Sequence, residues 1–191
     1  YDITFNFGTN GNNDGYGPGR DCGILKFSPD GRQLLFATYL GGSGNEQPHS
    51  MIADNQGDLY ILSSTESMNF PTTASYSQFL NGGYDFNITK LSSNGTQILS
   101  STFMGGSEMD ALLAYRAGTV QINSIPLLYN YADEFRGEII LANNAVLVCG
   151  STHSANFPST KTGDALDGFN DAVVFSMSLD LTTLNWSRII G

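Results

Sequence analysis

Catalysis and metal binding most often rest on histidine, cysteine and clustered carboxylates, and this chain is sparing with the first two. His49 and His153 are its only histidines. Neither reads as part of a metal-ligand set. His49 follows Pro48 at a strand entrance, and His153 stands in a repeated loop where the other copy carries Glu66, so both read as polar loop residues. There is no Gly-x-Ser-x-Gly nucleophile turn and no glycine-rich phosphate loop with its lysine. Cys22 and Cys149 each fall in an expected strand. A disulfide in an oxidising compartment and a pair of buried free thiols both fit them.

Two stretches carry more chemistry. Asn10-Gly11-Asn12-Asn13-Asp14-Gly15 sets oxygen-bearing side chains at positions one, three and five and glycine at six, and Asp21 falls at twelve. That is the outline of a calcium loop. Position one is Asn, position twelve is Asp rather than Glu, and no helices flank it, so a plain Gly-Asn loop competes with calcium. The second stretch, roughly Glu108 to Gly137, gathers Tyr115, Arg116, Tyr129, Tyr131, Phe135 and Arg136 with Asp110, Asp133 and Glu134. Tyr and Arg are enriched at recognition surfaces, which points to a protein partner. Tyr beside carboxylates also suits stacking on a glycan. The acids Asp110, Asp133 and Glu134 would be the residues of a carbohydrate-active hydrolase. Leu112, Leu113, Leu127 and Leu128 offer a competing reading, in which the stretch packs between structural units.

What must position these residues is a repeat. Asp21–Ser43, DCGILKFSPDGRQLLFATYLGGS, and Asp85–Ser107, DFNITKLSSNGTQILSSTFMGGS, match without a gap at a shift of 64. Lys26 falls on Lys90, Gly31 on Gly95, and Gly41-Gly42-Ser43 on Gly105-Gly106-Ser107. Asp171–Gly191 follows the same outline more loosely. A second motif alternates with the first. Thr65, Ser67, Asn69, Phe70 and Pro71 match Thr152, Ser154, Asn156, Phe157 and Pro158 at a shift of 87. A residue that recurs is first a part of the scaffold, and one found in a single copy is where function is sought.

Composition agrees with many short strands. Aromatic residues are 12% and charged residues 14%, with 22 Gly among 191 residues, a balance of apolar core and turn chemistry rather than of helices. The net charge of −10 speaks against nucleic acid and against an anionic membrane surface. No apolar run approaches the roughly 20 residues of a membrane span. Tyr1 is not an initiator Met, no signal peptide opens the chain, and Gly191 aligns with the first glycine of the Gly-Gly-Ser signature. The expectation is a mature fragment that stops within its own motif.

Each unit resolves into four strands. In the clearest, Met51–Asp54, Leu59–Ser63, Phe86–Leu91 and Gln97–Met104 are joined by turns at Asn55–Asp58 and Ser92–Gly95 and by a long polar loop. Thr4–Phe7 would be the second strand of an incomplete first unit, which makes about eleven strands in all. Such units bury a core only by stacking, and four-stranded sheets stacked around an axis make a β-propeller. The expected divisions are a three-strand partial blade at 1–43, a complete blade at 44–107, the insert at 108–137 and a complete but degenerate blade at 138–191. That is about two and three-quarter blades of a larger propeller, whose other blades would be partners. Strand parity puts the short turns on one rim. It puts Thr9–Arg20, Thr65–Tyr84, Glu108–Gly137 and Ser151–Asn170 on the other, where variable loops on a rigid scaffold carry binding.

The motifs FSPDG, TYLGGSGNE, DNQGDLY and NFPTT, recurring in order from Gly23 onward, resemble the SBBP-type β-propeller repeat. The LYNYADEFRGEII stretch, Leu128–Ile140, resembles the version in large surface proteins of Bacteroidota that carry gliding-motility-type domains. The resemblance implies export by the type IX system, display at the cell surface in association with the outer membrane, and no catalytic residues or cofactor. The last unit departs from the pattern at Ala145, Ser176 and Leu181, which stand where Asp58, Lys26 and Lys90, and Gly31 and Gly95 do. The expected role is a non-catalytic interaction or spacer module binding protein or glycan, without membrane insertion. A carbohydrate-active hydrolytic propeller and a calcium-stabilised adhesin are the alternatives.

Overall fold

The computed structural model describes residues 20–111 and 137–191. The expected strand Thr4–Phe7 lies outside these residues. The described chain is all-β: ten strands, no helix, every sheet pairing antiparallel. They are β1 Cys22–Phe27, β2 Leu34–Leu40, β3 Glu46–Ala53, β4 Leu59–Thr65, β5 Asp85–Leu91, β6 Ile98–Met104, β7 Glu138–Ala142, β8 Ala145–Thr152, β9 Asp171–Ser178 and β10 Leu184–Ile190. They form a two-stranded sheet, β1-β2, and two four-stranded meanders, β3-β4-β5-β6 and β7-β8-β9-β10.

Strands β4, β5 and β6 of the middle sheet are buried on both faces, because a strand's period of two gives each two inward-facing sets. Leu62, Phe86, Ile88, Met104 and Tyr60 face the third sheet, where Ile139, Val146, Val148, Val173, Phe175 and Met177 meet them. The Phe86 and Phe175 rings sit edge to face at 5.6 Å. Ile61, Leu91 and Phe103 face the other way, against Cys22, Ile24 and Leu40 of the first sheet. Cys22, Ile24 and Leu40 are the repeat equivalents of Phe86, Ile88 and Met104. Each sheet thus offers the same face to the next.

The turns follow their residues. Gly31 and Gly95 hold φ of +71° in the β1–β2 and β5–β6 turns. In the β7–β8 hairpin Asn143 and Asn144 both have positive φ, 52° and 61°, the two-residue turn whose twist suits a hairpin. Its counterpart at Asp54–Asp58 is a longer turn, closed by Asp54 Oδ1 accepting from the Gln56 and Asp58 amides. The first strand of the middle sheet is also longer than Met51–Asp54. It begins at Glu46 and crosses Pro48 at a register shift. On an edge strand such an irregularity accommodates a residue without an N–H.

Long loops protect the opposite edges. After each Asn-Phe-Pro the chain runs beside the last strand of its sheet. Thr73 N donates to Ser101 O and Ser101 N to Thr73 Oγ1, at 3.2 and 3.0 Å. In the third sheet Thr160 N donates to Ser187 O and Ser187 N to Thr160 Oγ1, at 3.2 and 3.0 Å. An otherwise open strand edge is thereby occupied.

Candidate functional site

The polar residues that recur converge on the long-loop rim, at the junctions between sheets. Each junction is built on an acid at the start of the next sheet: Glu46 in one, Asp110 in the other. Glu46 is the first residue of β3 and pairs with Thr65. Asp110 bridges Thr152 in the same way, so the ladder of the third sheet starts at Asp110 and resumes at Glu138. Both acids are almost wholly buried.

Their hydrogen bonds are the same in both copies. Gly42 N donates to Glu46 Oε2 at 3.1 Å, and Gly106 N to Asp110 Oδ2 at 2.6 Å. Thr65 Oγ1 and Ser67 Oγ donate to Glu46 Oε1, at 2.6 and 2.5 Å. Thr152 Oγ1 donates to Asp110 Oδ1, and Ser154 Oγ to Asp110 Oδ2 at 3.0 Å. Asn69 Oδ1 accepts from the Ser43 amide at 2.8 Å, and Asn156 Oδ1 from the Ser107 amide at 2.8 Å. Phe70 and Phe157 then anchor the loop, each under 5% exposed. The Gly-Gly-Ser and Thr-x-Ser-x-Asn-Phe-Pro motifs are two halves of one clasp between adjacent sheets.

A second carboxylate faces each acid. Asp21 and Glu46 meet over Gly41, and Asp85 and Asp110 over Gly105. A Cβ on Gly105 would overlap Asp85 Oδ1 and stand 2.8 Å from Asp110 Oδ2. Only glycine lets two carboxylates approach one backbone this closely. Burial pushes Glu46 and Asp85 up to about 7 each, with the neighbouring acid adding to the rise. Burial raises Asp110 as well, against the pull of its Thr152, Gly106 and Ser154 donors. We expect Gly105→Ala to destabilise the protein by about 1–3 kcal/mol through overpacking, in urea unfolding. Gly23→Ala, with nothing within 4 Å of its added Cβ, should change stability by less than about 0.5 kcal/mol.

The sequence-predicted residues divide sharply. Tyr115, Arg116, Tyr129, Tyr131, Phe135 and Arg136, with Asp133 and Glu134, lie outside the described residues, as do Asn10, Asn12 and Asp14 of the calcium outline. Asp21 is described, and faces Glu46 over Gly41. Asp110 is fully buried and accepts from three donors in the clasp. His49 sits on β3, and burial pushes it down to about 4. His153 follows β8 and stacks edge to face on Phe169 at 4.8 Å. Cys22 and Cys149 are free. Cys22 is buried in the core between the first two sheets, where burial pushes its thiol up to about 12. Cys149 is exposed on the outer face of β8, which corrects the reading of both as buried.

The carboxylate clasp is not among the sequence expectations, although its signal is present: Asp21, Asp85 and Asp171 open the three repeats, and an acid follows each complete Gly-Gly-Ser by three residues. No protein-family model and no curated protein matches the chain. Among the described residues no helix is long and apolar enough to cross a membrane.

Proposed function

We propose that this chain is part of a β-propeller in a secreted or cell-surface protein, and that it works as a non-catalytic module binding protein or glycan through its long-loop rim. The observation that carries this reading is the clasp. It uses the recurring Gly, Ser, Thr, Asn and acidic residues as scaffold and leaves recognition to the residues that do not recur.

Two further features support the propeller. The middle sheet receives the first and gives the same face to the third. Beyond this stack Leu25, Phe27 and Tyr39 of the first sheet are exposed, as are Ile140, Trp186 and Ile190 of the third. In the middle sheet the equivalent faces are covered, so further sheets of the same repeat fit both positions. Asp171 lies against Gly191 as Asp85 lies against Gly105, and its Oδ2 accepts from the Asp167 amide at 2.6 Å as Asp85 Oδ2 accepts from Asn81 at 2.7 Å. This is one half of a further clasp. Outer-membrane association, type IX export and an origin among Bacteroidota belong to the same proposal and rest on the motif resemblance.

The test compares two rims. Tyr129→Ala with Arg136→Ala should weaken capture of a cell-envelope protein or an arrayed glycan more than tenfold, since such anchors are worth about 2 kcal/mol or more each. Gln56→Ala with Ser93→Ala, on the short-turn rim, should leave capture unchanged. Loss in the second variant and retention in the first would place recognition on the wrong rim. Glycan cleavage that disappears with Asp133→Asn or Glu134→Gln would establish the hydrolase instead.

A further inference from the structure

The Asp85–Asp110 pair joins the second sheet to the third at a place with no exposure to solvent. Its donors are unequally shared. Asp110 accepts from the Gly106 amide and from the Thr152 and Ser154 hydroxyls. Asp85 Oδ2 accepts from the Asn81 amide, and the Gly82 amide also acts on this carboxylate. Asp85 Oδ1 is buried and has no hydrogen-bond donor among the described residues. It would overlap a Cβ placed on Gly105, and Asp110 Oδ2 lies 2.8 Å from the same point. Two ionised carboxylates facing each other at a buried place repel strongly, and one proton between them turns repulsion into a hydrogen bond.

We propose that Asp85 carries a proton on Oδ1, donates it to Asp110 Oδ2, and thereby makes the junction between the second and third sheets sensitive to pH. When the proton leaves to solvent, both acids are anionic and the junction loosens. The assignment to Asp85 follows from the donors: the ionised member is the one that three donors already serve. It needs only the two sheets and their clasp, and stands whether or not the sheets belong to a propeller.

The charges acting on the pair set its range. His153, one residue beyond Thr152, favours the ionised form of Asp110. Glu108 opens the same loop as Asp110. Tyr84 precedes Asp85 and is engaged with Glu66, Asn45 and Arg20 on the rim. Asp85 itself is raised, by burial and then by Asp110, to about 7. A folded-state value above the ordinary carboxylate value near 3.8 means that the pair's contribution is complete below that value. It is lost as pH rises through about 7. Between pH 5.5 and pH 8 this one proton is worth about thirtyfold in the folded-to-unfolded ratio. His49, held low by burial, works in the opposite sense below its ordinary value of 6.5. Wild type alone is therefore a poor reporter, and a comparison that cancels His49 is needed.

Asp85→Asn supplies it, because the amide N–H takes the place of the acid O–H while the amide oxygen keeps the Asn81 bond. Urea unfolding of both proteins at pH 5.5 and pH 8 is the measurement. The variant should be close to wild type at pH 5.5 and gain about thirtyfold in folded-to-unfolded ratio over it at pH 8. Equal pH dependence in the two proteins overturns the proposal. If the variant does not fold, infrared titration of Glu46→Gln, which removes the other buried acid raised to about 7, still decides. A protonated carboxylic acid band that persists at pH 6 and disappears by pH 8 supports the proton, and its absence at pH 6 refutes it. Calcium ions that stabilise wild type at pH 8 but leave Asp85→Asn unchanged would make the pair a cation site, and would also refute it.

Discussion

Phe157→Ala should lower the free energy of unfolding by about 3–5 kcal/mol, the range for deleting a buried aromatic side chain. Phe157 is 4% exposed, and its ring contacts Phe86 of the middle sheet at 6.3 Å and Phe175 of the third at 6.2 Å. Its backbone closes the loop, with Phe157 N donating to Ser154 O at 3.1 Å. The ring therefore fills a space bounded by two sheets and ties the clasp to the core. Neither sheet can collapse into the void without moving Asn156, which holds Ser107. Phe70 has the equivalent place one junction earlier, edge to face with Phe103 at 6.2 Å. Phe70→Ala should cost a comparable amount, towards the lower end, since among the described residues it meets one ring rather than two. Urea unfolding of each variant measures this. Unchanged midpoints with lost capture of a partner would make these repeated residues a binding surface, and would undo the distinction between scaffold and rim.

That distinction was legible in the sequence because repetition is a long-range signal. A shift of 64 residues without a gap fixed which residues are equivalent before any strand was placed. The hairpins at Ser28–Gly31 and Ser92–Gly95 were legible too, since only certain residues take a left-handed turn. The start of β3 was not. Gln47-Pro48-His49 reads as a break, and only an edge strand with a register shift tolerates it. The clasp was hidden for a different reason. Asp85 and Asp110 are 25 residues apart in the chain and come together only when two sheets stack. The copies also use acids of different length, Glu46 and Asp110, in one role. Asp110 reads in sequence as an acid near aromatic residues, whereas its described partners are Gly106, Thr152 and Ser154.

The third unit looks degenerate in sequence, yet one of its departures is compensated. Leu181 stands where Gly31 and Gly95 do, and takes the same left-handed conformation, with φ of 60° against 71°. A leucine there is strained by about 1–2 kcal/mol. It is nonetheless fully buried, in the core between the second and third sheets. Its turn docks on the middle sheet: Ser100 Oγ donates to Asp180 O at 2.5 Å, Tyr60 Oη to Leu179 O at 3.0 Å, and Tyr76 N to Leu181 O at 3.0 Å. One junction earlier the sizes are exchanged. Gly95 faces the ring of Phe36, whose repeat equivalent is Ser100, and a Cβ on Gly95 would be 2.5 Å from that ring. The bulk comes from the sheet before in one junction and from the turn after in the other.

Exchanging the pair is therefore the sharpest test of the repeat. Gly95→Leu alone should destabilise by about 2–5 kcal/mol, from left-handed strain and collision with Phe36 together. Phe36→Ser alone should also destabilise, by leaving a cavity and a hydroxyl over Gly95. The double variant recreates the Ser100–Leu181 arrangement and should recover most of the collision, leaving about the 1–2 kcal/mol of backbone strain. A favourable coupling of more than about 1 kcal/mol in the double-mutant cycle is the expected result, because the two residues share one space. Additive losses would mean that the junctions are not built alike. The Leu181 junction would then be a separate solution, and the third sheet could no longer be read as a copy of the second.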